Sequence, residues 1–231
     1  MAKKENLEHL HFGVFLKDAV YGANDGIIST FAVVAGVTGA ALSPLVVVVV
    51  GLASLFADGF SMAVSNFLAS RSALDFTKRE RWVETREVEV RPESERGEVR
   101  DILIKKGYEG QDLEQLVGLI TKNKRFWIDF MMHEELGLAP HGSIRPFRAA
   151  VITFVAFIVA GFLPIAPYIF GVENIFLWSV LATALVLFVI GSLRTLFTEK
   201  NWFLAGLEML FLGGVAAAIA YSVGFLISSI V

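Results

Sequence analysis

Five long apolar runs dominate the pattern of hydrophobic and polar positions along this chain. They cover 19–41, 44–69, 147–170, 174–194 and 202–230. Each run has about 20 residues or more, the length that an α-helix needs to cross a hydrocarbon core of about 30 Å. Five such runs cannot all be hidden in the core of a soluble protein of 231 residues. The pattern therefore predicts an all-α membrane protein with five transmembrane helices.

The longest polar stretch separates the second run from the third. Its first part, from Arg71 to Val90, contains no Pro or Gly. We expect this part to continue the second transmembrane helix beyond the membrane. Pro92 is expected at the first position of the next helix, because Pro disfavours a helical residue before it. Lys106-Gly107 is typical of the C-terminal end of that helix.

Two further short helices are expected in the same stretch, at about 111–121 and 124–136, the second closed by Gly137. Residues Ala139-Pro140-His141-Gly142 would then link to the third run. The chain accordingly divides into three parts. We expect 1–70 to hold the N-terminal segment and spans 1 and 2, 71–146 to form a cytoplasmic helical metal-binding domain, and 147–231 to hold spans 3 to 5.

Composition agrees with a membrane protein and limits its chemistry. The chain is 55% hydrophobic with a mean hydropathy of +0.63, above the 45–50% apolar content that is typical of soluble domains. It has no cysteine, which excludes disulfides, thiolate metal sites and cysteine nucleophiles. No apolar signal-peptide core precedes Lys17, so we expect the first span to act as the insertion signal.

The basic residues predict how the chain is oriented. Three of the 20 Lys and Arg residues precede span 1, fifteen lie between Arg71 and Arg148, and two lie between spans 4 and 5. The connections around Ser43-Pro44 and Pro164–Glu173 carry none. The positive-inside rule therefore places the N-terminus and 71–146 in the cytoplasm and the C-terminus outside. We expect a prokaryotic plasma membrane, with a vacuole-like organelle as the alternative.

Two carboxylates interrupt the first two apolar runs. Asp25 lies in span 1, and Asp58 lies one helical turn before Met62 in span 2. Intramembrane carboxylates usually face a bundle interior or a wet pathway, because charge in hydrocarbon is costly. The alternative is interhelical hydrogen bonding or snorkelling to an interface. Span 1 also carries Gly22 and Gly26 in a Gly-x-x-x-Gly spacing that favours close helix contact. Glu208 in span 5 is a further acid whose role the sequence leaves open.

Acidic and thioether side chains recur along the cytoplasmic stretch. Glutamates fall on one face of each of two predicted helices, and a Met-Met-His-Glu-Glu run ends the last helix. A charged, solvated face would explain the spacing. Convergence on a divalent cation would explain it as well, and the mixture of carboxylate and thioether favours Fe²⁺ or Mn²⁺ over Mg²⁺ or Ca²⁺. The candidate ligands are Glu84, Glu87, Glu95, Glu98, Met131, Met132 and Glu135.

The motifs NDGIISTFAVVAGV and FADGFSMAVSNFLASR, followed by an acidic stretch that ends in MMHEELGL, resemble the vacuolar iron transporter family. The resemblance covers nearly the whole chain. It implies a five-span homodimer that moves Fe²⁺ and Mn²⁺ out of the cytoplasm in exchange for protons. It also implies a pathway at the dimer axis, between the first two spans of each subunit. No prosthetic group, enzymatic activity or nucleic-acid partner is expected.

The resemblance implies roles for individual residues. Asp25 and Met62 match the transmembrane metal ligands of the family. The cytoplasmic ligands of the family match Glu84, Glu87, Glu95, Glu98, Met131, Met132 and Glu135. One position departs from the pattern, because eukaryotic members carry a Glu two turns before the methionine, where this chain has Ser54. Asp58, one turn before Met62, offers a carboxylate on the same stripe.

Two other functions remain open from the residues alone. An intramembrane aspartyl protease also uses two Asp side chains on neighbouring spans, here Asp25 and Asp58, that share a proton. This reading gives no role to Met62 or to the acidic stretch. A metal-gated channel or a membrane-anchored metal buffer would use the same ligands as a transporter. Flux against a gradient separates these from a proton-coupled transporter.

Overall fold

A computed structural model describes residues 2–138, 145–197 and 201–230, with the backbone alone described for 2–14, 196 and 197. The link predicted at Ala139-Pro140-His141-Gly142 lies outside the described residues. The helices are α1 Ala2–Gly39, α2 Pro44–Val90, α3 Pro92–Lys105, α4 Gly110–Lys122, α5 Lys124–Glu134, α6 Pro146–Phe170, α7 Ile175–Leu193 and α8 Trp202–Ile230, with a 3₁₀ turn Arg194–Phe197 after α7. No strand occurs in these ranges, so the all-α prediction is confirmed.

Five of these helices are long and apolar enough to cross a membrane, as the sequence predicts. The spanning candidates are Phe15–Gly39, Pro44–Val90, Pro146–Phe170, Ile175–Leu193 and Trp202–Ile230. One boundary differs from the predictions, because helix α1 begins at Ala2, well before the apolar run starts. Helix α6 continues through Pro164 and Pro167 and ends at Phe170, where the third apolar run ends.

The chain divides into two compact units. The membrane unit comprises Met1–Phe67 and Pro146–Val231, and the interspan unit comprises Leu68–Arg145. Helix α2 contributes its apolar first half to the membrane unit and its polar second half to the interspan unit. At about 1.5 Å per residue, its 47 residues extend about 70 Å, more than twice the thickness of a hydrocarbon core.

Small residues bring the helices of the membrane unit into close contact. A Cβ atom on Gly22 would lie 2.4 Å from the carbonyl oxygen of Thr153 on α6, and one on Gly26 would lie 2.4 Å from that of Phe157. Further along α1, a Cβ on Gly224 of α8 would lie 2.0 Å from the carbonyl oxygen of Gly36. Helix α1 therefore packs backbone to backbone, which confirms the close contact predicted from Gly22 and Gly26.

The interspan unit has its own hydrophobic core, to which α2, α3, α4 and α5 all contribute. Pro92 begins α3, and Gly107 follows that helix with φ of +91°, as predicted. Helix α5 ends at Glu134, two residues earlier than predicted, and Gly137 adopts φ of +65° beyond it. The fully or nearly buried core residues are Val88, Val99, Leu103, Leu113, Val117, Ile120, Trp127, Ile128, Met131 and Met132.

Candidate metal-transport site

The two transmembrane aspartates lie on neighbouring helices of the membrane unit. Asp25 on α1 and Asp58 on α2 are both exposed in the single chain. They are close enough for their negative charges to interact. Carboxylates within membrane spans usually face a bundle interior or a wet pathway, so this pair is a candidate cation site.

Side chains on α2 surround Asp58 with further ligand chemistry. The Ser54 hydroxyl donates a hydrogen bond of 2.6 Å to Asp58 Oδ2. Met62, one turn beyond Asp58, is half-buried and packs against the apolar cluster that includes Phe31 and Leu55. Hydroxyl, carboxylate and thioether thus follow one another along a single stripe of α2, as the sequence spacing predicts for a helix.

The membrane unit leaves much of α2 uncovered around this stripe. Ser61 and Ser65, which share the face of Asp58, are exposed. Phe56 and Phe60 on the other side of the helix are 56% and 66% exposed. Large exposed apolar faces on a helix of this kind are covered by lipid or by another protein chain. The exposed carboxylates of Asp25 and Asp58 therefore have room for a second set of ligands.

One polar network was missed in the sequence. Asn66 on α2 donates to Asp18 Oδ1 at 3.2 Å and to Thr153 Oγ1 at 2.7 Å. These bonds connect α1, α2 and α6. The sequence spacing could have indicated Asp18, because it precedes Asp25 by seven residues and therefore lies on the same face of α1. Asp18 is thus an additional candidate at the end of that face.

The remaining transmembrane acid is paired with a cation. Glu208 Oε2 on α8 accepts a hydrogen bond of 2.8 Å from Arg194, which follows α7. An ion-paired carboxylate needs no metal or proton to be neutralised. This contact favours a structural role for Glu208.

Five glutamates form an acidic cluster in the interspan unit. Glu84 on α2 and Glu95 on α3 are each only 4% exposed. One oxygen of each, Oε2, is sealed from solvent and has no hydrogen-bond partner among the described residues. The charges of Glu87, Glu98 and Glu135 reach both of these buried carboxyls. The cluster therefore combines Glu84, Glu87, Glu95, Glu98 and Glu135, the same five glutamates that were predicted as ligands.

The electrostatics of the acidic cluster are unfavourable for the charged form. Burial, followed by repulsion from the other glutamates, raises the pKa of Glu84 and that of Glu95 to about 7, from an ordinary value of 4.5. Burial and repulsion by Glu98 and Glu87 also raise the pKa of Glu135. Such a site binds protons near neutral pH, and a divalent cation would relieve the same repulsion.

The cluster is not arranged as a finished coordination sphere. Within the described ranges, no three His, Asp or Glu side chains form a group that could hold a metal ion. Ligation of one ion by these glutamates therefore requires their side chains to rotate inward. Met131 and Met132 are buried at 0% and 3% exposure in the core of the interspan unit, beside Val88 and Val99. Their thioethers serve apolar packing in this arrangement, and His133 is exposed.

Comparison with known sequences is decisive about the family. A sequence model of the VIT family matches residues 16–225. The chain belongs to the VIT family. It is 32% identical to vacuolar iron transporter 1 of Arabidopsis thaliana over 216 residues, which cover 93% of this chain and 86% of the relative.

Other members of the VIT family come from parasites. The vacuolar iron transporter of Toxoplasma gondii is 34% identical, with 94% of this chain and 76% of the relative covered. That of Plasmodium berghei is 32% identical, with 93% and 82% covered. These relatives are transporters and not enzymes, so the prediction that the chain is not an enzyme is confirmed. The resemblance inferred from the sequence motifs is confirmed as well.

Proposed function

We propose that this protein transports divalent iron or manganese out of the cytoplasm in exchange for protons. The observation that carries the proposal is the pair of Asp25 and Asp58 on neighbouring helices of an apolar bundle, with Met62 one helical turn beyond Asp58. Carboxylate accepts a hard or borderline cation, and thioether adds preference for softer ones. The vacuolar iron transporters to which the chain is similar support metal as the cargo.

A homodimer would complete the site. Asp25 and Asp58 are exposed in the single chain, and so are Ser61 and Ser65 on the same face of α2 as Asp58. If two chains meet along α1 and α2 about a twofold axis, each acid faces its own copy. Two Asp25 and two Met62, together with two Asp58, would then surround one cation in a pathway at the dimer axis.

Proton exchange follows from the chemistry of paired carboxylates. A bound divalent cation neutralises them. When the cation leaves, like charges at low dielectric raise the affinity for a proton. Metal and proton would therefore bind the same oxygens alternately. This competition is the physical basis that we propose for antiport, and Met62 takes no part in it because a thioether does not titrate.

The acidic cluster would collect metal from the cytoplasm. The basic residues that flank the spans support a cytoplasmic position for the interspan unit, by the positive-inside rule. Glu84 and Glu95 each hold a buried oxygen without a partner among the described residues, so a cation gains two desolvated ligands there. Capture on the cytoplasmic side supports the proposed direction, out of the cytoplasm.

Metal uptake by the purified full-length protein tests the cargo. Proteoliposomes are loaded with a metal-sensing dye, and Fe²⁺, Mn²⁺, Mg²⁺ and Ca²⁺ are added in turn. We expect rapid entry of Fe²⁺ and Mn²⁺ and little entry of Mg²⁺ or Ca²⁺. Equal entry of all four cations, or no entry beyond that of empty liposomes, contradicts the proposal.

A further inference from the structure

Asn66 on α2 connects three helices of the membrane unit through one side-chain amide. Its Nδ2 atom donates to Asp18 Oδ1 on α1 at 3.2 Å and to Thr153 Oγ1 on α6 at 2.7 Å. An amide nitrogen carries two N–H groups, and a carboxylate only accepts, so both donors are used and Asp18 fixes which end of the amide faces it. Thr153 has no exposed surface, so the second bond lies inside the bundle.

The Asn66 amide reaches the crossing at which α1 and α6 touch. A Cβ atom on Gly22, one turn after Asp18, would lie 2.4 Å from the carbonyl oxygen of Thr153. The backbones of α1 and α6 are therefore in direct contact at this level. The two acceptors of Asn66 thus lie on a closely packed pair of helices, which gives α2 a fixed reference.

Helix α2 itself meets α6 through side chains. A Cβ atom on Gly59 would first meet the Phe157 ring at 3.1 Å, and one on Gly51 would first meet Ile165 Cδ1 at 3.0 Å. Apolar contacts of this kind hold a helix less firmly in one register than hydrogen bonds do, because apolar attraction is not directional. In a bilayer, lipid is also an equally good partner for these side chains. The position of α2 along its axis therefore depends on directional contacts such as those of Asn66.

The register that Asn66 sets is also the register of the aspartate pair. Helices α1 and α2 are consecutive spans with four residues between them, so they run antiparallel. Asp25 follows Asp18 by seven residues, and Asp58 precedes Asn66 by eight, which are axial distances of about 10.5 Å and about 12 Å. The bond from Asn66 to Asp18 and the approach of Asp25 to Asp58 therefore fit one alignment of the two helices. A slip of one turn, about 5.4 Å, would separate both pairs.

We propose that Asn66 is a positioning residue of the metal site, which holds α2 in the register that keeps Asp58 opposite Asp25. Its consequence rests on the proposed transport function, because the spacing of the two carboxylates sets how well they share a cation. Asn66 needs no contact with the metal to act in this way. Loss of its hydrogen bonds should weaken metal binding although both aspartates are still present.

A distance measurement tests the position of α2 without any transport. The chain has no cysteine, so spin labels are attached to cysteines introduced at Phe60 on α2 and Phe211 on α8, which are exposed. The labelled full-length protein is diluted with unlabelled protein, so that double electron–electron resonance records distances within one chain. We expect Asn66→Leu and Thr153→Val to shift or broaden the distance distribution. Thr153→Ser keeps the acceptor hydroxyl and should give the wild-type distribution.

Metal uptake by the same variants, without labels, is the second measurement. We expect Asn66→Leu to raise the metal concentration at half-maximal flux about tenfold, which corresponds to about 1.4 kcal/mol of binding free energy. Thr183→Val is the matched control, because the Thr183 hydroxyl is buried on α7 and has no hydrogen-bond partner among the described residues. This control should leave both measurements unchanged.

Three results would overturn the role of Asn66. They are a wild-type distance distribution in Asn66→Leu, an equal change in Thr153→Ser and Thr153→Val, and an unchanged half-maximal metal concentration in Asn66→Leu. Absence of metal flux in the wild-type protein would instead contradict the proposed function. The distance measurement alone would then decide whether Asn66 positions α2.

Discussion

Ser54 donates a hydrogen bond of 2.6 Å to Asp58 Oδ2, one turn further along the same face of α2. The bond fixes the direction of the Asp58 carboxylate on the stripe that leads to Met62. The resemblance to vacuolar iron transporters implies a glutamate where this chain has Ser54. Asp58, which Ser54 holds through this hydrogen bond, carries a carboxylate one helical turn from that position. We therefore propose that Asp58 supplies the negative charge that the glutamate supplies in those relatives.

Separate roles are expected for Asp58 and Met62. Asp58→Asn keeps the shape but removes a titratable group, so it should flatten the dependence of metal flux on a pH gradient. Met62→Leu removes a soft ligand without changing charge, so it should slow transport, and slow it more for the softer ions. Metal-driven proton movement in proteoliposomes, read with an internal pH dye, separates the two. If Asp58→Asn keeps the full coupling of metal flux to proton flux, Asp58 has a structural role and Asp25 is the residue that carries the proton.

Asp25 is expected to be indispensable for transport. Asp25→Ala removes the α1 carboxylate whose charge interacts with that of Asp58, and we expect metal flux to fall to the level of empty liposomes. Asp112→Ala is the matched control, because Asp112 is an exposed carboxylate on α4 of the interspan unit. Size-exclusion chromatography checks that both variants keep the native oligomer. Flux at the wild-type rate in Asp25→Ala would remove Asp25 from the pathway.

The membrane architecture was predictable because hydrophobic length is a direct signal. The five spans and the extension of α2 to Val90 follow from apolar runs and from the absence of Pro and Gly. The start of α1 at Ala2 was not predictable in the same way. The residues before Lys17 are polar enough to be either helix or loop, and periodicity alone does not distinguish them.

The sequence predicted which glutamates lie together in the acidic cluster, but not how they are arranged there. Helical spacing placed Glu84 and Glu87 on one face and Glu95 and Glu98 on another. It did not reveal that Glu84 and Glu95 are almost fully buried while Glu135 keeps more contact with solvent, because burial depends on how the helices pack. Nor did it show Met131 in the core, since a buried methionine and a ligand methionine have the same spacing.

The acidic cluster should make the protein less stable as the pH rises. The pKa of Glu95 is about 7 in the folded protein and 4.5 ordinarily. Between these values the folded state binds more protons than the unfolded state, so the free energy of unfolding falls as the pH rises from about 4.5 to about 7. Below pH 4.5 Glu95 is protonated in both the folded and the unfolded state. Above pH 7 it is charged in both, and the free energy of unfolding falls no further on its account.

Glu95→Gln tests this dependence, because it removes the charge and keeps the shape. Without divalent metal, we expect the variant to unfold at a higher temperature than wild type at pH 8 and at nearly the same temperature at pH 4. The gain should be about 1–3 kcal/mol, the order of the free energy that the raised pKa of the charged group represents. Glu93→Gln is the control, since Glu93 is 82% exposed on the same helix. If Glu93→Gln raised the unfolding temperature at pH 8 as much as Glu95→Gln does, burial of Glu95 would not be the cause of the destabilisation.

The contact between α1 and α6 should not tolerate a methyl group at Gly26. Its Cβ would lie 2.4 Å from a backbone carbonyl oxygen of α6, and backbone cannot move as a flexible side chain can. We expect Gly26→Ala to destabilise the protein by about 1–3 kcal/mol or more. Gly97→Ala on α3 has nothing within 4 Å and should stabilise by about 0.5–1 kcal/mol. Thermal unfolding in detergent compares the two, and equal midpoints would show that the helices are not in close contact.

The proposed exchange of metal for protons is tested most directly by measuring both fluxes in the same proteoliposomes. Vesicles that contain the full-length protein, a metal dye and a pH dye receive Fe²⁺ or Mn²⁺ with and without an imposed pH gradient. The account predicts that metal entry drives protons out of the vesicle, and that a gradient acidic inside accelerates metal entry even against a metal gradient. Metal entry without any proton movement, at a rate that is independent of the pH gradient, would contradict antiport and would assign the protein to channels.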